Sequence, residues 1–432
     1  MTLLKAMIAS TSAALLVVAV ATELVPELAR ALGGSLLPSL SVALVATLAA
    51  RVALWLAYRP TPAVAADALP SLTVVVPAFN EGPGVVKTLE SIFASDYPPE
   101  RLRVIAVDDG STDDTGPALD RALAEATARG WGDRLEVIHL ERNQGKRGAL
   151  YRGFKRATSD VIATIDSDSI VPRDALAHLV APIARHPEVG GVAGKVLVQN
   201  RAKNVITRML HVRYLLGFDF VRAYQSVLQT VWCCPGAIQA YRRALVAPHL
   251  DAWADQRFLG ARCTNGDDHA MTNLVLSLGA ATRYQATARC FTLVPESTRR
   301  LAKMYIRWSR SATREGLRAL RFTPRRAWAL GPWRGPLVAW DALMQPLAVL
   351  LRTASIPTSL ALLFAHPELL LRGLLAGTLF SLFYALVYLR SERSSDVLFG
   401  VLYGWYALFV LFWIQPFATL TVRRNGWLTR GA

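Results

Sequence analysis

Between residues 72 and 173, short runs of apolar residues alternate with segments in which apolar residues recur every three or four positions. Runs of the first kind are typical of buried strands, and segments of the second kind are typical of helices. Strands are expected at "LTVVVPAFN", "LRVIAVDD", "LEVIHL" and "DVIATID", and helices at 83–94, 114–129, 147–157 and from about 173. This alternation predicts an α/β domain whose mostly parallel sheet is covered on both faces.

Long apolar stretches flank this domain on both sides, at 6–22, 36–58, about 338–364, 367–389 and 397–422. Each approaches or exceeds the length of about 20 residues that crosses a bilayer as a helix. The pattern therefore predicts a soluble domain between membrane segments. The expected divisions are a transmembrane helix pair at 1–60, the α/β domain at 61–298, an interfacial amphipathic region at 299–335, transmembrane or re-entrant helices at 336–422, and a tail at 423–432.

The first apolar stretch has two interpretations. Lys5 precedes it, and Ala19-Val20-Ala21 resembles the cleavage site of a signal peptide. We favour an uncleaved anchor, because a second apolar segment follows almost at once.

The distribution of basic residues predicts the orientation in the membrane. Arg51 and Arg59 flank the second apolar stretch on the side of the α/β domain, and 299–326 is dense in arginine. Because basic residues favour the cytoplasmic side, we expect an integral protein of the plasma (inner) membrane with a cytoplasmic α/β domain.

The number of C-terminal spans is open. Three spans would place residue 432 outside, whereas Arg423 and Arg424 favour the inside. One stretch is therefore expected to be re-entrant or interfacial, and 397–422 is the best candidate because it contains Pro416.

Charge and cysteine content narrow the class of partner. The formal net charge of the 432 residues is +16, but no zinc-finger, RNA-recognition or helix-turn-helix signature accompanies it, so nucleic acid is not expected. Anionic lipid head groups and a phosphate-bearing substrate explain the charge better.

The four cysteines show no metal-binding pattern. Cys233 and Cys234 are adjacent, Cys263 and Cys290 are isolated, and no zinc spacing appears. The cysteines are expected to pack in the core or to line a pocket.

Acidic and amide side chains follow three of the predicted strands where each strand ends. They are Asn80-Glu81, Asp108-Asp109 and Asp166-Ser167-Asp168. Ligands bind at the carboxyl ends of the strands in such sheets. Along an extended chain the first and third residues of Asp-Ser-Asp face the same way. A pair of carboxylates there suits Mg²⁺ or Mn²⁺, although an isolated Asp-Ser-Asp is also typical of a turn with a helix cap.

The chemistry around these acids favours a nucleoside diphosphate. No Gly-x-Gly-x-x-Gly follows the first strand, so a dinucleotide is not expected. Asp108 or Asp109 could accept from a nucleobase N–H or a ribose hydroxyl. Lys146 and Arg147 supply cations at the start of a helix, where the backbone also favours phosphate. Taken singly, "DDGSTDD" is an ordinary turn and Lys146 an ordinary surface residue.

The motifs "VVVPAFNE", "VDDGSTDDT", "GKRGAL" and "DSD" together resemble the inverting family-2 glycosyltransferases. The resemblance continues through "CCPGAIQAYRR", "NGDDHAMTNLVLSLG" and "RWSRSATREGL" and ends at "GWLTRG". Within the family it is greatest for the hyaluronan synthases and the nodulation chitooligosaccharide synthases. It implies a Rossmann-like glycosyltransferase-A domain.

The resemblance also implies roles for individual residues. Asp168, with help from Asp166, would hold the cation that bridges the diphosphate of a UDP-sugar. Asp268 of Gly266-Asp267-Asp268 would be the general base that deprotonates the acceptor hydroxyl. Asp267 and Asp268 are alternatively caps of the following helix. Substrate contacts are expected from Pro77, Phe79, Asn80, Glu81, Asp108, Asp109, Lys146, Arg147 and Cys234.

Arg307-Trp308 fits the Gln-x-x-Arg-Trp motif of the family in part, because Met304 stands in place of the glutamine. Trp308 could present a flat face to an acceptor sugar, and Arg307 could reach phosphate. The alternative is that both belong to an interfacial amphipathic helix. The two interpretations are compatible.

The expected activity is that of a processive, metal-dependent β-glycosyltransferase. Its donor would be UDP-N-acetylglucosamine, alone or alternating with UDP-glucuronic acid, and its membrane helices would pass the growing polysaccharide. The partners would be this donor, the polysaccharide and membrane lipid, and we expect a monomer. The alternatives are a non-processive enzyme that acts on a lipid phosphate, and a non-catalytic transporter or scaffold.

The last residues generate a prediction of their own. The resemblance implies that Trp427, Thr429 and Arg430 belong to a segment that closes over bound nucleotide. Deleting 427–432 should therefore leave membrane insertion intact and remove most sugar transfer, and Arg430→Ala should raise the apparent KM for the UDP-sugar. Transfer assays and labelling of Ala432→Cys by a membrane-impermeant reagent measure this. Full activity after truncation, or labelling from outside the cell, would contradict it.

Overall fold

The computed structural model of the chain describes residues 36–365, 378, 387–392 and 396–424. Several predicted features lie outside the described residues: the stretch 6–22, most of 367–389, and Trp427, Thr429 and Arg430 of the tail.

Ten strands and fifteen helices make up the part of the chain that the structure describes. The strands are β1 Leu72–Ala78, β2 Leu102–Asp108, β3 Leu135–His139, β4 Val161–Ile165, β5 Ser169–Ile170, β6 Val189–Val198, β7 Ile238–Arg242, β8 Arg257–Phe258, β9 Ala261–Arg262 and β10 Ala281–Thr292. The helices of the α/β domain and its N-terminal flank are α1 Leu36–Ala57, α2 Gly84–Phe93, α3 Thr115–Ala128, α4 Lys146–Arg156, α5 Ala175–Arg185, α6 Val205–Leu215, α7 Ala223–Val227, α8 Arg243–Val246, α9 Leu250–Ala254 and α10 Asp267–Ser277. The C-terminal helices are α11 Thr298–Ala319, α12 Thr323–Ala329, α13 Gly331–Ala365, α14 Val397–Phe409 and α15 Ile414–Leu420.

Eight strands form one sheet in the order β3-β2-β1-β4-β7-β6-β10-β5. The pairs β1–β2, β1–β4, β2–β3 and β6–β10 are parallel, whereas β7 runs antiparallel to both β4 and β6. The prediction of a mostly parallel α/β sheet is therefore confirmed. The first four predicted strands form the half of the sheet that ends in acidic residues, and Ala78 pairs in register with Asp108.

The core explains why the early strands are nearly continuous apolar runs. All seven residues of β1 are buried, since helices cover both faces of this parallel half-sheet. Helix α4 approaches β1 so closely that a Cβ at Gly153 would overlap Val75. This contact holds the start of α4, which carries Lys146, beside the end of β1.

Helix α11 differs from the predicted interfacial helix in the surroundings of its basic residues. Arg310 and Arg314 are buried rather than facing lipid head groups. Arg310 Nη2 donates to Thr421 Oγ1 at 2.8 Å, and Arg314 donates to the carbonyl of Val422 and to Asn265. These arginines therefore join α11 to the segment after α15 and to the loop before α10.

Within the described ranges, no single helix has both the length and the hydropathy of a bilayer span. Helices α14 and α15 meet that test only as a pair, and their axes are bent by 49° at the break between them. The break falls inside the stretch 397–422, ahead of Pro416, for which a re-entrant or interfacial course is predicted.

Candidate active site

A cleft of about 760 Å³ lies at the carboxyl ends of β1, β2 and β4 and is closed on the far side by α6, α10 and α11. Ten of the predicted site residues line it: Pro77, Phe79, Asp109, Lys146, Asp166, Asp168, Asp267, Asp268, Arg307 and Trp308. Residues from distant parts of the sequence thus meet in one cavity of the size that binds a nucleotide and a sugar.

Asn80 and Asp108 lie outside the cleft lining and instead fix the loops that border it. Asn80 has a left-handed backbone (φ 51°), and its Oδ1 accepts from the amide of Thr112 at 2.9 Å. Asp108 is buried and accepts from the amide of Ser111 at 3.0 Å and from His139 Nδ1 at 3.2 Å. Of the two acids at the end of β2, Asp109 lines the cleft and Asp108 does not.

Asp109 is a buried carboxylate on the wall of the cleft. Burial raises its pKa to about 6, and the charge of Asp108 adds to this effect. Hydrogen bonds from the amides of Gln144 and Gly145 act in the opposite direction, and the Gln144 amide lies 2.7 Å from Oδ1. Asp109 thus changes charge in a range where most aspartates are fully ionised.

The Asp-Ser-Asp turn after β4 presents both acids to the cleft, as expected from their spacing. Asp166 pairs with the ammonium of Lys146. Asp168 Oδ1 accepts from Thr292 Oγ1 at 3.2 Å. Between them, Ser167 Oγ donates to Glu81 Oε1 at 2.8 Å, so Glu81 braces the turn from the end of β1.

Lys146 occupies the first turn of α4 with only 16% of its side chain exposed. Burial alone would lower its pKa, but the carboxylates of Asp166, Asp267 and Asp268 raise it. Lys146 is therefore charged, and it lies among acids from both halves of the cleft.

Arg147 follows Lys146 in sequence but is directed into the protein. Its guanidinium donates to Gln256 Oε1 at 2.8 Å and to the carbonyl of Trp253 at 3.2 Å, and it stacks on the Trp253 ring at 5.4 Å. It stabilises the segment before α10 and does not line the cleft.

Asp267 and Asp268 begin α10 after Gly266, whose φ is +76°. The N-cap residue Gly266 has no side chain to cap the helix, and both aspartates lie in its first turn. Asp268 bonds to an amide of that turn, in line with the capping alternative. Asp268 Oδ1 accepts from the amide of His269 at 2.8 Å, and Oδ2 lies 3.8 Å from Cys233 Sγ. Burial raises the pKa of Asp267, and Lys146 opposes this. Asp267 Oδ2 has no hydrogen-bond partner among the described residues.

Cys234, one of the predicted substrate contacts, does not line the cleft. Cys234 is fully buried, and its amide donates to Thr272 Oγ1 at 3.0 Å. Cys233 lines the cleft instead, with its thiol near Asp268. Burial raises the pKa of the Cys233 thiol well above its usual range, so it is neutral.

Trp308 lies at the rim of the cleft with 43% of its surface exposed. Its ring centroid is 6.2 Å from that of Tyr214 and 5.6 Å from that of Tyr305. Arg307 and Met304 line the cleft beside it. An aromatic surface of this kind suits the apolar face of a sugar ring.

Several lining residues have no counterpart in the sequence predictions. Tyr214 ends α6, and a π-helical turn at Leu216–Arg222 brings Phe218 and Arg222 to the same wall. Such turns occur often at functional sites. The sequence contains no motif here, and the irregular hydrogen bonding that creates the turn leaves no compositional signal. Further polar or charged cleft residues that were not predicted include Arg213, Cys233, His269, Thr292 and Arg300.

Asp166 and Asp168 fit the chemistry of a divalent cation site. Both are oxygen donors on the cleft wall, and Mg²⁺ is usually held by one or two carboxylates together with substrate phosphates and water. No group of three or more His, Cys, Asp or Glu side chains with metal-site geometry occurs in the described parts of the chain. A cation here would therefore take its remaining ligands from the substrate and from water.

Comparisons with known proteins agree with one another. The model of Glycosyl transferase family 2 matches residues 73–249. An N-acetylglucosaminyltransferase of Rhizobium meliloti (strain 1021) is 32% identical over 375 residues, which cover 85% of this chain and 84% of that protein. A hyaluronan synthase of Streptococcus pyogenes is 28% identical over 372 residues, covering 83% of each.

A solved structure has the same fold. It is a mannosyltransferase from Pyrobaculum calidifontis in complex with GDP-Man and Mn²⁺, with a TM-score of 0.56 and 21% identity. The match covers 88% of this chain and 96% of that one. The sheet and its helices therefore form a glycosyltransferase-A fold.

The raised pKa of Asp109 leads to a prediction about pH. If the ionised carboxylate accepts from the uracil N–H, affinity for UDP-N-acetylglucosamine should be constant above pH 6 and fall by up to about tenfold per unit below it. Titration calorimetry between pH 5 and 8 measures this. The sugar nucleotide is preferable to UDP, whose terminal phosphate itself titrates near pH 6.

Asp109→Asn should bind weakly at all these pH values, with a flat profile. Asp114→Asn, which removes an exposed carboxylate from the same loop, should keep the wild-type profile. A wild-type affinity that does not change between pH 5 and 7 would contradict the assignment of Asp109 to the nucleobase.

Proposed function

The chain belongs to glycosyl transferase family 2, and from this membership we propose a membrane-embedded, cation-dependent, processive β-glycosyltransferase that uses UDP-sugars. The observation that carries the proposal is one cleft whose lining contains Asp109, Lys146 and Asp168 together with Asp268 and Trp308. The first three suit a nucleoside diphosphate, and the last two suit a sugar acceptor. One cavity therefore contains the groups needed on both sides of a glycosyl transfer.

On the donor side, Asp109 would accept from the uracil and Lys146 would neutralise part of the diphosphate. Asp166 and Asp168 would hold the divalent cation, which when bound offsets the charge that develops on the UDP leaving group. Arg307 adds a further cation to the lining of the same cavity. These groups would fix the anomeric carbon of the donor sugar toward the acceptor.

On the acceptor side, Asp268 would take the proton of the attacking hydroxyl. A base needs only to be an ionised carboxylate within hydrogen-bond reach of that hydroxyl. Attack from the face opposite UDP would invert an α-linked donor into a β-glycoside. Trp308 would hold the acceptor ring by stacking, and together with the adjacent Arg307 it supports a site that keeps a growing chain bound.

The names of the relatives support N-acetylglucosamine as the transferred sugar. One relative is a hyaluronan synthase, so alternation with UDP-glucuronic acid is the competing form of the same proposal. Incubating the purified protein with UDP-N-acetylglucosamine alone, with UDP-glucuronic acid alone and with the pair distinguishes them. Product length in the same assay separates a polymerase from an enzyme that adds one sugar.

Location in the membrane is supported by the surface of the C-terminal helices. Large exposed apolar patches mark sites of interaction with partners or with membrane. The exposed side chains include Leu343, Leu350, Leu351, Leu398, Leu402, Leu408, Phe409, Phe412, Phe417 and Leu420. With the basic residues on the side of the α/β domain, this supports an integral membrane protein whose catalytic domain faces the cytoplasm.

The role of Asp268 is testable by separating binding from transfer. Asp268→Asn should lose transfer by about 100-fold or more, the scale of a missing general base, because the amide cannot accept the proton. Affinity for the UDP-sugar should be close to that of the wild type. Asp251→Asn, which removes an exposed carboxylate outside the cleft, should be fully active. Near-normal transfer by Asp268→Asn would remove Asp268 from the mechanism.

Cation dependence has a readout that does not rely on activity. Asp168→Asn should weaken binding of UDP-N-acetylglucosamine when Mn²⁺ or Mg²⁺ is present and leave it unchanged in EDTA, since it removes a ligand of the cation and no direct contact to the nucleotide. Asp174→Asn provides the control, since Asp174 is a partly exposed acid on the following loop that pairs with His178 and Arg289 and does not line the cleft. An equal loss of affinity with and without the cation would show that Asp168 has a purely structural role.

A further inference from the structure

A carboxylate on α13 is buried among apolar residues and accepts hydrogen bonds from four side chains. Asp341 is 5% exposed. Its Oδ1 accepts from Arg51 Nη2 at 2.6 Å and from Tyr224 Oη at 3.0 Å, and its Oδ2 accepts from Trp232 Nε1 at 2.9 Å and from Gln225 Nε2 at 3.3 Å. Each carboxylate oxygen thus accepts from two donors. One of the donors to Oδ1, the Arg51 guanidinium, carries a full positive charge.

The four donors come from three separate segments. Arg51 belongs to α1, Tyr224 and Gln225 to α7, and Trp232 to the loop between α7 and β7. Leu54, Leu228 and Leu337 line the apolar cavity of about 430 Å³ beside them. In surroundings of low polarity, charge-assisted hydrogen bonds are strong, and an unpaired donor is costly. Asp341 therefore holds these segments in one arrangement.

One of the three segments leads directly into the cleft. Cys233 follows Trp232, and its thiol lies 3.8 Å from Asp268 Oδ2. The Cys233 carbonyl accepts from Arg222 Nε at 3.1 Å. Further along, a Cβ at Gly236 would lie 2.7 Å from Lys146 Nζ. Because Cys233 is adjacent to Trp232 and Gly236 is four residues further on, a small shift at Trp232 would move the wall beside Asp268 more than the wall beside Lys146.

We propose that Asp341 is a positioning residue that fixes the loop 232–236 against Asp268, so that the packing of α1 and α13 sets the geometry of the acceptor site. The inference rests on the proposed function in one respect, the assignment of Asp268 to the acceptor side. Asp341 touches no substrate in this arrangement. It acts through Trp232.

The structure supplies a matched control on the neighbouring residue. Trp340 Nε1 donates to Thr47 Oγ1 at 2.7 Å, which also joins α13 to α1 but touches no part of the loop. Thr47→Val removes this hydrogen bond with almost no change in volume. Comparing it with Asp341→Asn separates the adhesion of the two helices from the positioning of the loop.

Asp341→Asn replaces one acceptor oxygen by an NH₂ donor, which then faces either the Trp232–Gln225 pair or the Arg51–Tyr224 pair. The new NH₂ group and the side chains that face it are then all hydrogen-bond donors, so one of the two donor pairs is left without an acceptor. We expect kcat for transfer to fall by about 10- to 100-fold, the scale of a misplacement of about 1 Å at a reacting centre. The KM and Kd for the UDP-sugar should stay within about twofold, which is less than 0.5 kcal/mol. Trp232→Phe, which removes the indole N–H together with part of a buried ring, should likewise lower kcat more than it changes the KM for the UDP-sugar.

A second readout is independent of catalysis. Cys233 is partly exposed, whereas Cys234, Cys263 and Cys290 are buried. The rate at which a maleimide labels Cys233 in the full-length protein in detergent therefore reports the position of the loop. Labelling should be faster in Asp341→Asn and in Trp232→Phe than in the wild type, and unchanged in Thr47→Val. Cys233→Ser identifies the labelled site.

The outcomes separate the inference from the proposed function. If the wild type transfers no sugar, the proposed function fails, and the labelling rates alone decide whether Asp341 positions the loop. The inference is overturned if Thr47→Val and Asp341→Asn lose transfer equally, if Asp341→Asn weakens donor binding as much as transfer, or if its Cys233 labels at the wild-type rate.

Discussion

The ammonium of Lys146 is the charge on which the arrangement of the cleft depends. It pairs with Asp166 and lies close enough to Asp267 and Asp268 that all three raise its pKa. Carboxylates gathered at the edge of an apolar sheet repel one another strongly, and one cation among them offsets that repulsion. The end of β4 and the start of α10 can therefore lie on opposite sides of one narrow cavity. The loop that faces the ammonium has a glycine at residue 236, where a side chain would collide with it.

Two buried acids among the described residues differ in how far their hydrogen bonds are satisfied. Asp341 has four donors for its two oxygens. In the cleft, Asp267 is buried with an oxygen that has no partner among the described residues. Buried polar groups normally have partners. Asp341 therefore serves the architecture, whereas Asp267 has an oxygen available to a ligand in the cleft.

The sequence predicted the chain segments of the cleft better than the directions of individual side chains. The strands β1, β2 and β4 and their terminal acids follow from apolar runs and the geometry of parallel sheets. These regularities do not predict which of two adjacent residues lines the cleft. Asp109 and Cys233 line the cavity, whereas Asp108 and Cys234 bond to the interior. A rotation of about 100° per residue along a helix separates Lys146 from Arg147 in the same way.

The strand order in the later part of the sheet could not be predicted from the sequence, for a different reason. Strand β7 inserts antiparallel between β4 and β6, and this order depends on contacts between residues far apart in the chain. The wall formed by Tyr214 and Phe218 depends on a π-helical turn, which is a property of backbone hydrogen bonding rather than of residue pattern. The strand order and this wall of the cleft therefore depend on tertiary packing and cannot be predicted from the local residue pattern.

The hydrogen bonds of α11 to Thr421 and Val422 have a consequence for the rim of the cleft. The same helix carries Trp308 at that rim. Arg310 and Arg314 follow Trp308 by two and six positions, so the segment after α15 and the aromatic rim are joined to one rigid helix. A displacement of α15 would therefore be transmitted along α11 to the surface that Trp308 presents.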